Sequence, residues 1–253
     1  MQGEQSSRTV QSVQTTIEII EHLREVSEAG VTELAMALDH SKGTVHSHLA
    51  TLLENEYVVR NGERYGLSLK FLDLGECVKS RLDIYDVVIE EVNDLAAETG
   101  EVAQFATEEH GRVVYLYKAH GDQAVNTASS VGKREYIHCI SLGKAMLAQF
   151  PEKRVDEIVD RHGLPAKTPN TITDREELAA ELQDVRERRY AVDNEEMIEG
   201  IRCIAAPITN DGVVGAISIS GPSSRMAGER FEENLPSKLL RSANVIEINA
   251  KFG

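Results

Sequence analysis

Between Lys42 and Leu53 the chain carries no acidic side chain, although residues 1–66 hold ten acids against five bases. A helix with Val45, Leu49 and Leu52 turned inward, at about 100° per residue, turns Gly43, Ser47 and Ala50 outward, with Thr44, His46 and Thr51 beside them. These are small or hydrogen-bonding groups, fit for close approach and for contact with base edges, and acid is kept off the face that would meet phosphate. Ser41 is placed to cap this helix and Lys42 opens it, so Ser41, Lys42, Gly43, Thr44, His46, Ser47 and Thr51 form one candidate contact surface. Further on, Arg60 and Arg64 stand beside Asn61, three groups that could reach a phosphate backbone or a minor groove. His46 and His48 lie two apart on a helix and point in different directions, so no shared metal site is expected.

Catalytic patterns are weak. Gly143-Lys144 matches the end of a phosphate-binding loop, but His138 stands where its first Gly would be and Ala145 where Ser or Thr must hold magnesium. There is no Gly-x-Ser-x-Gly elbow and no His-Glu-x-x-His, and Ser218-Ile219-Ser220-Gly221 lacks the leading spacing. His138 and Cys139 are chain neighbours, which usually point apart and do not make a nucleophile and base by adjacency. Cys77, Cys139 and Cys203 are odd in number and widely spaced, so neither a disulfide framework nor a Cys-based zinc site is expected. No catalytic residue, cofactor or metal is expected.

The elements that must position the first surface follow from periodicity. Ser6 and Ser7 offer N-caps to a helix carrying Val10, Val13, Ile17, Ile20 and Leu23, which Gly30 ends. Thr32 is placed to cap a short second helix with Leu34, Ala35 and Leu38, and the helix after Ser41 carries Val45, Leu49, Leu52 and Leu53 on one face. Tyr57 to Arg60 and Glu63 to Leu69 read as strands around Asn61-Gly62, a strong signal for a type I′ hairpin. Three helices and a hairpin within about seventy residues is the order of a winged helix-turn-helix. A small helical module that binds another protein has the same local pattern.

The 253 residues allow one large domain or two modest ones. Hydrophobic residues at 41% and charged residues at 27% exclude wholesale disorder. No run approaches the roughly 18 consecutive apolar residues of a membrane span, and the first thirty residues lack the order of a signal peptide, so a soluble cytoplasmic chain with no membrane partner is expected. Acids outnumber bases 42 to 27, for a net charge of −15, and the bases are 17 Arg and 10 Lys. No block of one sign accounts for this. A surface acidic along its whole length tolerates its own repulsion where concentrated salt screens it. The balance fits a salt-loving host, with an ordinary acidic cytoplasmic protein as the other reading, and by itself it argues against nucleic-acid binding.

From Lys70 to Thr99 a helical pattern runs through Phe71, Leu74, Val78, Leu82, Tyr85, Val88, Val92 and Leu95 to Gly100, with Asp83 a possible break. Its apolar stripe could pack against a second copy or against its own neighbouring domain. Beyond Gly100, strands are expected over Glu101 to Thr107, Arg112 to Ala119, Gln123 to Ser129, Ile201 to Thr209 and Val213 to Ser220, with turns at Glu108 to Gly111 and Asn210 to Gly212. Helices are expected over Ser141 to Gln149, Glu152 to His162, Asp174 to Arg189 behind a Thr173-x-x-Glu176 capping box, and Arg230 to Phe252, where Pro236 marks a late start or a kink. The class is α+β, an antiparallel sheet with helices around it. The domains are 1–69, a linker helix over 70–99, and 100–253.

Three segments in order resemble one family. Ser41-Lys42-Gly43-Thr44-Val45-His46 with Leu49-Ala50-Thr51-Leu52, closed by Tyr65-Gly66-Leu67, is similar to the recognition helix and wing of the isocitrate-lyase-regulator (IclR) type of transcriptional regulators. His138 through Ala148 resembles the second signature of that family. Arg189 to Glu196, Gly200 to Ile208 and Ala216 to Pro222 resemble the third. The resemblance implies a winged helix-turn-helix that binds double-stranded DNA at a palindromic operator, a linker helix used in dimerisation, and a GAF-like C-terminal domain. Members are homodimers or homotetramers that switch transcription when a small effector, such as an organic acid or a sugar-derived compound, enters that domain. By residue match the pocket is lined by Ser141, Leu142, Asp193, Cys203, Ser218 and Ser220. Ser218 and Ser220, two apart on a strand with Ile217 and Ile219, present both hydroxyls to one side. With a thiol on an adjacent strand and the amides near Ser141 and Leu142, they could hold a carboxylate; serines bonded to water and a cysteine filling core are the alternative. The sequence departs from the family at Ser47, where many relatives carry Arg, at His48, where they carry an apolar residue, at Leu142, which could narrow the pocket, and at Asn194, which replaces a frequent Asp. Two other classes stay open: a metabolite sensor acting through protein partners without DNA, and an enzyme using Cys203, Asp193 and Ser218.

Overall fold

The computed structural model describes residues 9–82, 84–125, 129–210 and 212–252. The chain forms two compact units, Met1–Arg81 and Leu82–Gly253. In the first, α1 (Gln11–Val26), α2 (Val31–Ala37) and α3 (Lys42–Glu54) enclose Ile19, Leu23, Leu34, Val45, Leu49 and Leu52 together with Val58 and Tyr65. Strands β1 (Glu28–Gly30), β2 (Val58–Asn61) and β3 (Arg64–Leu67) make an antiparallel sheet in the order β1-β3-β2. The expected winged helix-turn-helix order is present, with a third strand that the sequence reading missed.

Several local expectations are corrected. Ser6 and Ser7 lie outside the described residues. Helix α1 ends at Val26 rather than at Gly30, with Ser27 at φ 67°, because Glu28 to Gly30 pair with β3. Its inward face is Thr15, Ile19 and Leu23, while Val10, Val13 and Ile17 are exposed. Thr32 caps nothing; Gly30 is the N-cap of α2, and its backbone N–H donates to Glu33 Oε2 at 2.9 Å. Leu53 is on the exposed side of α3. The hairpin is closed by Gly62-Glu63, since Asn61 pairs with Arg64. Positive φ is confined to Gly62 there, the pattern of a type II′ rather than a type I′ turn.

The helical stretch after residue 69 is two helices, α4 (Lys70–Lys79) in the first unit and α5 (Tyr85–Thr99) in the second; Asp83 lies outside the described residues. The second unit is built on a six-stranded antiparallel sheet of order β6-β5-β4-β9-β8-β7. Its strands are β4 (Val102–Glu109), β5 (Arg112–His120), β6 (Arg134–Tyr136), β7 (Ala191–Asn194), β8 (Ile201–Thr209) and β9 (Val213–Pro222). The α+β class stands. The edge strands β6 and β7 were not foreseen. The strand expected over Gln123 to Ser129 is absent from its described residues, and Asn126 to Ala128 lie outside them.

Side-chain alternation gives the sheet two buried faces. Phe105, Ile204, Ile217 and Ile219 pack on α5 and on α9 (Leu235–Phe252). The opposite face, with Ala106, Ala191, Ala205 and Ala216, packs on α6 (Ser141–Leu147), α7 (Glu152–His162) and α8 (Arg175–Arg188). Asp174, not Thr173, caps α8 by accepting from the backbone N–H groups of Glu176 and Glu177. A wide π-type turn over Arg230–Asn234 precedes α9, so Pro236 marks the late start.

Helix α6 lies close to the 3-10 turn Ile137–Cys139 because Gly143 has no side chain: a Cβ there would come within 1.9 Å of Ile137 O. Gly143→Ala is therefore expected to lower unfolding stability by about 3 kcal/mol or more. Denaturant unfolding at fixed salt checks this, and a loss below about 1 kcal/mol would mean that α6 can shift freely.

Candidate functional sites

The first candidate site is the exposed side of α3 and the β2–β3 hairpin. Ser41 Oγ accepts from the Thr44 N–H at 3.0 Å and caps α3 as expected. Gly43, Thr44, His46, Ser47 and Thr51 are exposed on α3 with Lys42. The Ser47 and Thr51 hydroxyls donate back to the carbonyls of Gly43 and Ser47, which leaves them as acceptors toward an incoming group. Among the described residues Lys42, His46 and Asn61 have no side-chain partner. The wing arginines are engaged. Arg64 Nη1 pairs with Glu33 Oε1 at 3.0 Å and Nη2 donates to Glu28 O at 2.7 Å, while Arg60 Nε donates to Gly62 O and its guanidinium lies over Tyr65. The Gly30 N–H and the Arg64 guanidinium together hold the Glu33 carboxyl below its usual range. His48 does not face outward: its Nδ1 lies 2.8 Å from Thr16 Oγ1 and joins α3 to α1.

The second candidate site lies on the α6 face of the large sheet. Register sets Asp193 opposite Cys203 and Cys203 opposite Ser220, in one row across β7, β8 and β9. In the next row Ala205, Ser218 and Gln104 are opposite one another across β8, β9 and β4. Ser218 and Ser220 thus share a face, with Ile217 and Ile219 on the other. The first turn of α6 adds Ser141 and Leu142. All six residues expected to line a pocket line one cavity of about 60 Å³. The sequence reading missed Gln104, Tyr115, Lys133, Glu135 and Met197 on the same wall. Gln104 carried a usable signal, a buried amide in phase with Val102 and Ala106 on a strand with an apolar face.

The electrostatics of this wall are those of burial. Burial pushes the Asp193 carboxyl up to about 7, against the opposing pull of the Glu196 N–H, which donates to Asp193 Oδ1 at 2.7 Å. Burial, with Asp193 beside it, pushes the Cys203 thiol well up, and burial raises Cys139 to about 12. Neutral thiols are the opposite of what a nucleophilic cysteine needs. His138, lowered to about 4 by burial, spends its Nε2 on Pro165 O at 3.2 Å. Ser218 Oγ is buried with no hydrogen-bond partner among the described residues.

Glu196 also ties the cavity wall to α6. Lys144, fully buried, sets its Nζ 2.5 Å from Glu196 Oε1 and 3.3 Å from Glu181 Oε1, and Glu181 in turn holds Arg188 at 2.7 Å. Burial outweighs the Lys144 ammonium and pushes the Glu196 carboxyl up. Gly143-Lys144 thus serves close packing and a buried ion pair, not a phosphate loop. No group of His, Cys, Asp and Glu fit for a metal occurs among the described residues, and no helix among them is long and apolar enough to cross a membrane.

A helix-turn-helix module and a cavity lined by several polar side chains, in one chain, fit a ligand-responsive transcriptional regulator, and the similarities to known proteins agree. The family model described as the IclR helix-turn-helix domain matches residues 12–62, and that of the bacterial transcriptional regulator IclR C-terminal matches residues 77–248. The chain is 32% identical over 247 residues to the probable HTH-type transcriptional regulator ArcR of Halobacterium salinarum, covering 95% of this chain and 94% of that protein. It is 32% identical over 229 residues to the HTH-type transcriptional regulator KdgR of Escherichia coli, covering 89% and 87%. The crystal structure of the Thermotoga maritima IclR superposes with a TM-score of 0.78 at 30% identity, over 94% of this chain and 98% of that one. This chain belongs to the IclR family of transcriptional regulators.

The raised Asp193 carboxyl has a pH signature. Between 3.8 and about 7 the folded chain keeps a proton on Asp193 that the unfolded chain has released, so stability falls as pH rises through that window. Asp193→Asn is expected to remove this contribution: its melting temperature matches wild type at the acid end of the window and exceeds it at the alkaline end. Parallel melting curves for the two chains across the window would contradict the burial assigned to Asp193.

Proposed function

We propose that this chain is a cytoplasmic regulator of carbon metabolism in a salt-adapted host, switched by a small organic acid or sugar-derived compound held in the cavity on the α6 face. The observation that carries the reading is the polar row Asp193, Cys203 and Ser220, with the unpartnered Ser218 hydroxyl, opening into one cavity in a chain that also carries a helix-turn-helix. Residues 1–69 read DNA, 70–99 connect, and 100–253 hold the effector. Ser41 fixes the start of α3; Lys42, Thr44 and His46 with Gly43, Ser47 and Thr51 approach the major groove, and Asn61 with Arg60 and Arg64 meets the backbone or minor groove. Arg64 must leave Glu33 to do so.

The protein works as a homodimer or homotetramer on a palindromic operator. Exposed apolar side chains support self-association: Val10 just before α1, Val13 and Ile17 on α1, Leu69 just before α4, and Leu72, Leu74 and Val78 on α4. Effector binding shifts the balance between two placements of paired winged helices, so that half-site spacing matches or misses the operator. In a salty cytoplasm counterion release contributes little, and base and shape readout carry more of the affinity.

The test is recovery and sequencing of sheared host DNA bound by the purified protein at the host's own salt. A shared palindromic site is expected to be enriched, and Lys42→Ala with Thr44→Ala to lose it while remaining folded. Affinity for that site is expected to decline only gently between dilute and molar potassium chloride. Enrichment of no site at any salt, or full retention of binding by the double variant, would overturn the reading.

A further inference from the structure

The charge on the cavity wall narrows what the cavity can hold, and this step rests on the reading of that cavity as the effector site. Two carboxyls line it, Asp193 and Glu135, both buried. Among the described residues lining it there is one cation, Lys133, whose Nζ already lies 2.8 Å from Glu135 Oε1. The other polar side chains there, Gln104, Cys203, Ser218 and Ser220 among them, are neutral hydrogen-bonding groups. Gln104 is itself oriented, its Nε2 donating to Ser129 Oγ at 2.5 Å. The space is small, about 60 Å³.

We infer that the cavity takes a small hydroxylated molecule with at most one carboxylate, and that Asp193 and Glu135 are the residues that turn dianions away. A hydroxyl can donate to either carboxyl and accept from Ser218 or Ser220, so each hydroxyl replaces a bond to water without adding charge. One ligand carboxylate can be met by Lys133. A second has no cation left to meet and must face Glu135 or Asp193 in a site with little water to screen the repulsion. The groups around Asp193 do not change this count. Glu196 offers its N–H and holds Lys144, Cys203 and Ser220 are neutral, and Tyr115 on β5 keeps its proton because burial raises it.

The test titrates the full chain, at neutral pH and its own salt, with glycerate, glycerol and tartronate, the last replacing the CH2OH of glycerate with a second carboxylate at the same carbon count. Melting temperature and calorimetric affinity are the readouts. Glycerate is expected to raise the melting temperature and to bind at least about ten-fold more tightly than tartronate. Glu135→Gln, a mild change on the short edge strand β6 that removes one of the two wall carboxyls, is expected to cut that ratio to less than about three-fold with an unchanged circular dichroism spectrum. Asp193→Asn is expected to narrow it as well. Equal or tighter binding of tartronate by wild type, or a ratio that neither variant moves, overturns the inference. So does the absence of any effect from all three probes. Stabilisation of wild type but not of Ser218→Leu by a host small-metabolite extract would in that case keep the cavity as the ligand site, and equal stabilisation of both chains would remove that reading too.

Discussion

A sheet covered by helices on both faces has to be apolar on both faces, and the C-terminal unit departs from that rule in one place. On the α5 and α9 side, Phe105, Ile204, Ile217 and Ile219 fill the interface completely. On the α6 side, Ala106, Ala191, Ala205 and Ala216 keep the surface low so that α6 can lie against it, with Gly143 pressed on the Ile137 carbonyl. The same strands then carry Gln104, Asp193, Cys203, Ser218 and Ser220 one step along the same face. A buried polar group without a partner costs on the order of 1–3 kcal/mol, so the Ser218 hydroxyl, unpartnered among the described residues within this polar row, is not a packing solution. It fits the ligand-facing role proposed for this wall.

The rest of the unit holds that row in place. Asp193 is gripped by the backbone N–H of Glu196, and the side chain of Glu196 is gripped by Lys144 from α6. One buried ion pair therefore fixes the helix that closes the cavity relative to the turn that orients its carboxyl. Replacing such a pair with apolar residues is often neutral or stabilising, so its use is geometric rather than energetic. At the other end of β4, Glu101 is fully buried and held in a bidentate pair by Arg225, with Arg230 also at 3.2 Å. That cluster binds the start of β4 to the segment between β9 and α9, and so pins the strand that carries Gln104.

Much of this was legible in the residues, and the failures share a physical cause. The cap at Ser41, helices α6, α7 and α8 and the alternation along β4, β5, β8 and β9 are local signals, and each appears within two residues of where it was expected, whereas the ends of α1 and the start of α9 do not. The short strands β1, β6 and β7 have no local signal, because three or four residues pair only when a distant partner presents an edge. The caps shifted by one or two residues for a similar reason: Gly30 and Asp174 compete with Thr32 and Thr173 for the same helix ends, and tertiary contacts decide. Six cavity residues came from family-like segments. Glu135 and Lys133 stayed hidden because they sit on or beside β6, an element that was not foreseen. Nor does composition reveal that Glu33 occupies Arg64, since that contact joins α2 to β3 across thirty-one residues.

The proposed effector cavity on the α6 face would govern what the helix-turn-helix surface does to DNA, as linkage requires when a ligand prefers one of two placements. The most direct measurement is operator affinity, by fluorescence anisotropy, with and without a small-metabolite extract from cells grown on single carbon sources, for wild type and Ser218→Leu. An extract is expected to change wild-type affinity several-fold, and Ser218→Leu to keep the metabolite-free affinity but lose the change. The same shift in both chains would contradict it, because the effector would then be acting somewhere other than this cavity.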